Sequence, residues 1–408
     1  MKLLIHEQKT PGHYLYHVRL ITEAALARGI ATEWSLPRSA PDTAEYRHHL
    51  ASLAGRVSAV HWFDPRVGAP PRTAFLEAGR ACIRAAVASG AGHIIAPSAD
   101  GLAPVLGIDA WGGARRILPK GVELEVGLIR PTFAHAGHRG ARQIKMAAVQ
   151  WAVSRAPIGA MRIADFPAYE RMKRMAWARR QRLLAVPEPC EPSRLFTRDE
   201  ARAFLGLPAA GRLVIAPGEI SSRKYPLELA RAFSSTATPD SRLVFAGRFV
   251  DGLYERLADQ FGREILAGRI IVVNRLLTDE ELDAAVGAAD LVAAAYGSNP
   301  GPSGILDRAM MVDRPVLAHN YGWAEYMVKR FKLGWTTDPH DAEAYAAAMR
   351  AALEGAADFR PSAAVGWLKS FFSMENFKRH WMMRIRDRMG LPPEEMVLWE
   401  GAPDFGAN

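Results

Sequence analysis

Cysteine is almost absent: Cys82 and Cys190 are the only two in 408 residues. Two thiols cannot build a disulfide framework or a cysteine-based metal site, and they suit a reducing compartment, so a cytoplasmic location is expected. No apolar run reaches the ~18 residues that a membrane-spanning helix needs. The opening Met-Lys-Leu-Leu-Ile-His-Glu is too short for a signal peptide and reads as a first strand. A Gly-x-Ser-x-Gly elbow, a Walker loop, a His-Glu-x-x-His pair and the fingerprint Gly-x-Gly-x-x-Gly are all missing. Hydrolase, NTPase, zinc-protease and dinucleotide-binding readings therefore have no support.

Acidic residues are scarce in one stretch. From Arg139 to Arg182 there are eleven Lys and Arg against Asp165 and Glu170, which equals the net charge of +9 for the whole chain. A solvated helical face is one reading. A surface for an anionic membrane or lipid-phosphate acceptor is another, and a groove for an anionic polysaccharide is a third. Within it, Tyr169 to Trp177 sets Met172, Met175 and Ala176 at helical spacing among basic residues. Nucleic acid is not expected, because no binding module for it is present.

What the chain does have is a regular alternation. The length suits two domains, and a content of 49% hydrophobic and 23% charged residues is ordinary for a globular protein. Short apolar runs at Leu213 to Ala216, Leu243 to Arg248, Ile270 to Asn274, Leu291 to Ala295 and Pro315 to His319 alternate with helical patterns at Leu227 to Ser234, from Asp279, and at Ile305 to Met311. That rhythm predicts βαβ units and a parallel sheet. The first half repeats it, with strands at Leu3 to Ile5, Val57 to Trp62, His93 to Ala96 and Leu124 to Ile129. Its helices are predicted at Tyr14 to Arg28, Asp42 to Leu53, Arg72 to Ser89 and Arg139 to Ser154. Arg182 to Pro192 reads as a hinge, and the acidic end from Pro392 as partly loose.

Ligands in such sheets sit at the carboxyl ends of the strands, where the polar turns of this sequence fall. Arg223 and Lys224 follow the first strand of the second half in a turn with Gly218, Ser221 and Ser222. A guanidinium and an ammonium fixed there would stabilise phosphate charge. The small-residue loop from Ser298 to Gly304 opens the helix at Ile305, and free amides at Ser303 and Gly304 would suit a phosphate or a sugar hydroxyl. Asp307 stands in the first turn of that helix. His61, Asp64, Asp100, His135 and His138 lie near other strand ends, and His135 and His138 have a metal-like spacing without a carboxylate between them.

The order of these pieces resembles glycosyltransferase family 4 of the GT-B fold, over roughly residues 185–350. The resemblance rests on Arg202 to Pro208, Gly218 with Arg223-Lys224, Ala246-Gly247, Thr278 to Leu282, Ala289-Asp290, and Arg314 to Ala318 with Gly322. It implies an α/β chain of two Rossmann-like domains facing each other across a cleft. Residues 1–186 would form the acceptor side and 187–371 the donor side, with 372–408 returning as a terminal helix and tail. It implies a nucleotide-diphosphate sugar as substrate, no metal or other cofactor, and transfer to a glycan, lipid or small molecule with retained configuration, as in polysaccharide biosynthesis. His13, Arg223 and Lys224 would be catalytic. Gly12, Gly218, Ser221, Ser222, Gly247, Arg248, Asn274, Arg275, Ser303, Gly304, Ile305 and Asp307 would hold the donor. The family's Glu-x7-Glu pair is missing, with Pro300 and Arg308 in its places. A nucleotide-sugar epimerase or a silent sugar-binding protein is therefore the alternative.

Overall fold

The computed structural model describes the chain except residues 65–70, 112–117, 136, 179–180, 237, 298 and 404–408. It divides into two compact units, one of residues 1–187 with 374–399 and the other of residues 188–373 with 400–408.

The first unit is built on a parallel sheet of seven strands: β1 (Lys2–His6), β2 (Ala31–Pro37), β3 (Ala59–Phe63), β4 (His93–Ala96), β5 (Glu123–Leu128), β6 (Ala160–Ile163) and β7 (Arg182–Ala185). Their order is β3-β2-β1-β4-β5-β6-β7. Among the described residues, six helices are interleaved with the strands: α1 (Tyr14–Ala27), α2 (Ala44–His49), α3 (Pro71–Ser89), α4 (Leu102–Trp111), α5 (Gly140–Arg155) and α6 (Phe166–Lys173). Leu3, Ile5, Trp34, Leu36 and Ile95 from the strands pack with Val18 and Ile21 of α1 in a dry core. The expected helix over Asp42 to Leu53 is broken into short turns around α2, and the head of the expected hinge is the edge strand β7.

The second unit holds β8 (Arg212–Pro217), β9 (Ser241–Ala246), β10 (Ile270–Val273), β11 (Leu291–Ala294), β12 (Val316–His319) and β13 (Gly334–Thr337), all parallel and ordered β10-β9-β8-β11-β12-β13. Its helices are α7 (Arg198–Leu205), α8 (Pro226–Thr236), α9 (Leu253–Leu266), α10 (Asp279–Ala288), α11 (Gly304–Met311), α12 (Gly322–Phe331), α13 (Ala342–Gly355) and α14 (Ala364–Phe371). Thr197 with Glu200 and Thr278 with Glu281 form capping boxes that fix the starts of α7 and α10.

The last helix, α15 (Met374–Arg388), belongs to the first unit and packs against α1. The tail beyond it is not loose over the described residues. Asn376 exchanges two hydrogen bonds with the Val397 backbone, and Trp399, buried, stacks on Phe166 at 3.9 Å. A large apolar ring with a dry surface to lie on outweighs the flexibility of an acidic end.

In both sheets the strand order reverses once, between β1 and β4 and between β8 and β11. Loops leaving the carboxyl ends there diverge and leave room for a ligand.

Candidate functional site

At the reversal in the second sheet, β8 runs into Gly218. Its φ of +79° favours glycine, and its amide donates to Ala246 O at 2.8 Å. The chain then makes a tight turn, Ser222–Lys224, and Tyr225 takes the left-handed conformation before Pro226 starts α8. This turn sends the two basic side chains in different directions. Arg223 is exposed, its guanidinium lying 5.3 Å from the ring centre of Tyr296. Lys224 is buried, and its Nζ donates to Pro217 O. A methyl group on Gly218 would stand 3.3 Å from that Nζ and 3.7 Å from Cδ1 of Ile305. The bare face of Gly218, the lysine ammonium and the start of α11 therefore converge. Burial, and then the neighbouring Arg223 charge, bring the Lys224 ammonium down to about 7.

The start of α11 is open. Ser303 precedes it in extended conformation without capping the helix, and a Cβ on Gly304 would meet nothing within 4 Å. The first amides of this helix have no side-chain cap, and its dipole favours an anion in front of them.

The loop from β11 to α11 is held by residues that the sequence reading did not single out. His319, at the end of β12, accepts from the Tyr296 amide through Nδ1 at 3.2 Å and donates through Nε2 to Asn299 O at 2.9 Å. That pattern fixes one neutral tautomer, and burial lowers the imidazole to about 4. The Tyr321 hydroxyl donates to Tyr296 O and accepts from the Asn299 amide. Gly297 passes so close to Tyr225 that a Cβ there would fall 1.6 Å from the ring. A polar residue closing an apolar strand, as His319 does, was the available signal.

The other expected donor-site residues are set nearby with partners of their own. Gly247, at the end of β9, would drive a Cβ to 2.2 Å from Gly218 O, so the two turns are in contact. Arg248 pairs with Glu219 at 3.1 Å, and both are exposed. Asn274 accepts from the Phe249 amide at 2.9 Å. Arg275 pairs with Glu281, the acid of the α10 capping box, at 2.6 Å. Ser221 and Ser222 supply backbone carbonyls to the turn. Asp307 is buried, its Oδ1 meets no hydrogen-bond partner, and burial with the nearby Glu188 charge holds its carboxyl well above the usual carboxylate range. Arg308, in the place of the second expected glutamate, binds Asp283 and reaches Asp279 at 3.3 Å. Ser298 lies outside the described residues.

In the first unit, Gly12 has φ +70° and donates to Glu45 at 3.3 Å. His13 caps the start of α1 without a side-chain hydrogen bond to the helix, its ring 5.1 Å from that of His17. The remaining sequence candidates have structural partners. His61 binds Glu33 at 2.7 Å, His135 binds Asp165 at 2.8 Å, and His138 donates to Thr132 O at 2.6 Å. Asp64 pairs with exposed Arg38. Asp100 accepts the amides of Ile129 and Arg130, and burial raises it to about 6. Of the expected stripe at Tyr169 to Trp177, Tyr169 and Met172 are buried, because α6 turns its apolar side inward and ends at Lys173, while Arg171, Lys173, Arg174 and Ala176 are exposed.

Comparison with known proteins agrees with this fold. Residues 197–363 match the family described as glycosyl transferases group 1. No curated protein sequence matches the chain. Among solved structures, HepE of Anabaena in complex with UDP is similar at 18% identity and a TM-score of 0.65, covering 96% of this chain and 100% of its own. Sucrose-phosphate synthase from Thermosynechococcus elongatus is similar at 18% identity and 0.68, with the same coverage. A glycosyltransferase from Rickettsia africae is similar at 11% identity and 0.65, covering 95% and 98%. The GT-B fold and the resemblance to glycosyltransferases expected from the sequence are borne out.

Proposed function

We propose, taking a group 1 glycosyl transferase domain on a GT-B fold as the premise, that this chain moves a sugar from a nucleotide diphosphate to an acceptor. The observation that carries it is the convergence of bare Gly218, the Lys224 ammonium and the uncapped start of α11 at one strand reversal. The diphosphate would sit there. As the glycosidic bond breaks, negative charge grows on the leaving oxygen. A buried ammonium and fixed amides stabilise that charge without rearranging. Arg223, exposed on the Tyr296 ring, is free to swing onto the outer phosphate oxygens. Ser303 and the Gly304 amide would meet the phosphates or a sugar hydroxyl, and buried Asp307, its carboxyl raised by burial, would serve as a hydrogen-bonding group behind them. Retained configuration follows if a donor phosphate oxygen takes the acceptor proton on the same face, a route that needs no carboxylate nucleophile. HepE was crystallised with UDP and with UDP-glucose, which supports a uridine donor as the first to try. The basic stretch at 139–182 is the candidate contact for an anionic acceptor or surface.

The test is nucleotide release from a panel of nucleotide sugars, with and without glycan, lipid and small-molecule acceptors. Acceptor-dependent release supports transfer. Interconversion of the sugar without release would identify an epimerase, and binding without either would identify a sugar-binding protein.

A further inference from the structure

Helix α5 exposes an apolar row as well as its charged residues. Its inward row is Met146, Val149, Gln150 and Val153, half-buried to buried at helical spacing. The opposite row is Ile144, Ala147, Ala148 and Trp151, and all four are exposed, Ile144 at 75% and Trp151 at 40%. A helix on a soluble surface turns charged and polar residues outward. The neighbouring α4 meets α5 so closely that a Cβ on Gly107 would fall 1.7 Å from Ala152 O, and the next residue, Ile108, is 51% exposed.

The charge around this row has one sign. From residue 126 to residue 164 the sequence contains no Asp or Glu. Arg130, Arg139, Arg142, Lys145 and Arg155 are all exposed, and the Arg155 guanidinium lies 5.6 Å from the Trp151 ring. An apolar row with a tryptophan, rimmed by long basic side chains, is the composition of helices that lie in a bilayer interface. The rings sit at headgroup depth and the cations meet anionic lipid. A second copy of this chain would instead bring five like charges against five, with no acid in the segment to offset them.

We propose that α5 docks this protein on an anionic membrane, its Ile144–Trp151 face entering the headgroup layer. This rests on the surface-contact reading of residues 139–182 and replaces the Tyr169–Trp177 stripe with a face that is exposed. Sedimentation with phosphatidylcholine vesicles, with and without phosphatidylglycerol, tests it. The protein should bind only the anionic vesicles and should release at roughly 1 M salt, where the screening length falls to about 3 Å. Ile144→Ser with Trp151→Ser should weaken binding about tenfold or more, as should Arg142→Ser with Lys145→Ser. All four side chains lie in the first unit, away from the candidate phosphate site, so UDP affinity should not change, and thermal unfolding checks that loss of the Trp151–Arg155 contact leaves the fold intact. Unchanged UDP affinity also separates failure of this proposal from failure of the sugar-transfer reading. No binding to anionic vesicles overturns the proposal, as does binding that survives loss of Ile144 and Trp151. Self-association abolished by the same double variant, without vesicle binding, would assign the face to a second copy and overturn it equally.

Discussion

Lys224 offers a test in which stability and function move in opposite directions. Its ammonium is buried, with Pro217 O as its hydrogen-bond acceptor, and burial lowers it from 10.5 to about 7. In the unfolded chain the lysine is ordinary. Between pH 7 and 10.5 the unfolded state therefore binds more protons than the folded state, and stability rises with pH across that window. Below pH 7 both states are charged and the penalty is complete. At about 1.36 kcal/mol per pH unit, its ceiling is about 5 kcal/mol. Lys224→Met keeps the length of the side chain, removes the charge and leaves Pro217 O without its donor, a loss of about 1.5 kcal/mol. The variant should be more stable than the parent at pH 7, by about 2–3 kcal/mol, and the gain should vanish toward pH 10.

Binding should move the other way. A bound diphosphate stabilises the charged lysine, so the parent takes up a proton on binding above pH 7. Its UDP affinity should fall from pH 7 to 9, by up to about tenfold per pH unit. The variant should bind at least tenfold more weakly at pH 7, with no such slope. Thermal unfolding at pH 7 and 9.5 and calorimetric UDP titration at matched pH supply both readings. A variant no more stable than the parent at pH 7, or one that binds UDP equally well, would refute the placement of a buried ammonium at the phosphate.

Three further substitutions probe the same end of the second sheet. Gly304→Val places a side chain in open space, so thermal stability should hold within about 0.5 kcal/mol while UDP binding is lost; retained binding would show that the ligand does not approach this helix start. Gly247→Ala drives a methyl group toward Gly218 O, and should cost more than about 2 kcal/mol in denaturant unfolding together with nucleotide affinity. Arg308→Glu sets a third carboxylate beside Asp279 and buried Asp283; a loss of about 3 kcal/mol is expected, and a neutral result would mean that the pair carries no weight in the fold.

The sheet strands that were legible in the sequence are the apolar ones. Leu213 to Ala216, His93 to Ala96 and Leu291 to Ala295 sit within a residue of β8, β4 and β11 because strands buried on both faces read as unbroken apolar runs. Two of the strands that escaped, β2 and β6, carry buried charge. In β2, Glu33 interrupts the run, and its partners Lys2 and His61 come from flanking strands. In β6, Arg162 is fully buried against Glu125 of β5, which also takes His93 of β4, while the guanidinium faces Trp381. Nothing local says that such charges will be paired, because each partner lies on a different strand. The site divides in the same way. Gly218, Lys224 and Gly304 were visible as turn chemistry at strand ends. The His319–Tyr321 clamp on the loop before α11 was not, since its hydrogen bonds span some twenty residues.

The replaced glutamates follow the same logic. A glutamate at position 308 would extend from α11 into the space that holds Asp283, and Asp283 is already committed. It accepts the amide and the hydroxyl of Ser193 at 2.6 and 2.7 Å, tying the segment ahead of α7 to α10. With that carboxylate buried, position 308 requires a cation, and Arg308 supplies it from a half-buried stem. Position 300 helps to hold the loop through its backbone, which any residue there would supply. Pro300 O accepts the Trp323 amide at 2.8 Å, and Gly322 passes close enough that a Cβ would meet the same oxygen at 2.5 Å. Both positions have thus become part of the frame that shapes the loop before α11. Asp307, beside Arg308 on α11, is buried with its Oδ1 lacking a hydrogen-bond partner, and burial holds its carboxyl well above the usual carboxylate range. A neutral acid can donate one hydrogen bond and accept others, whereas a carboxylate only accepts. Under the proposed transfer, a donor sugar that reaches this carboxyl in its protonated form would present an acceptor to it, such as a ring oxygen, an acetamido carbonyl or a carboxylate.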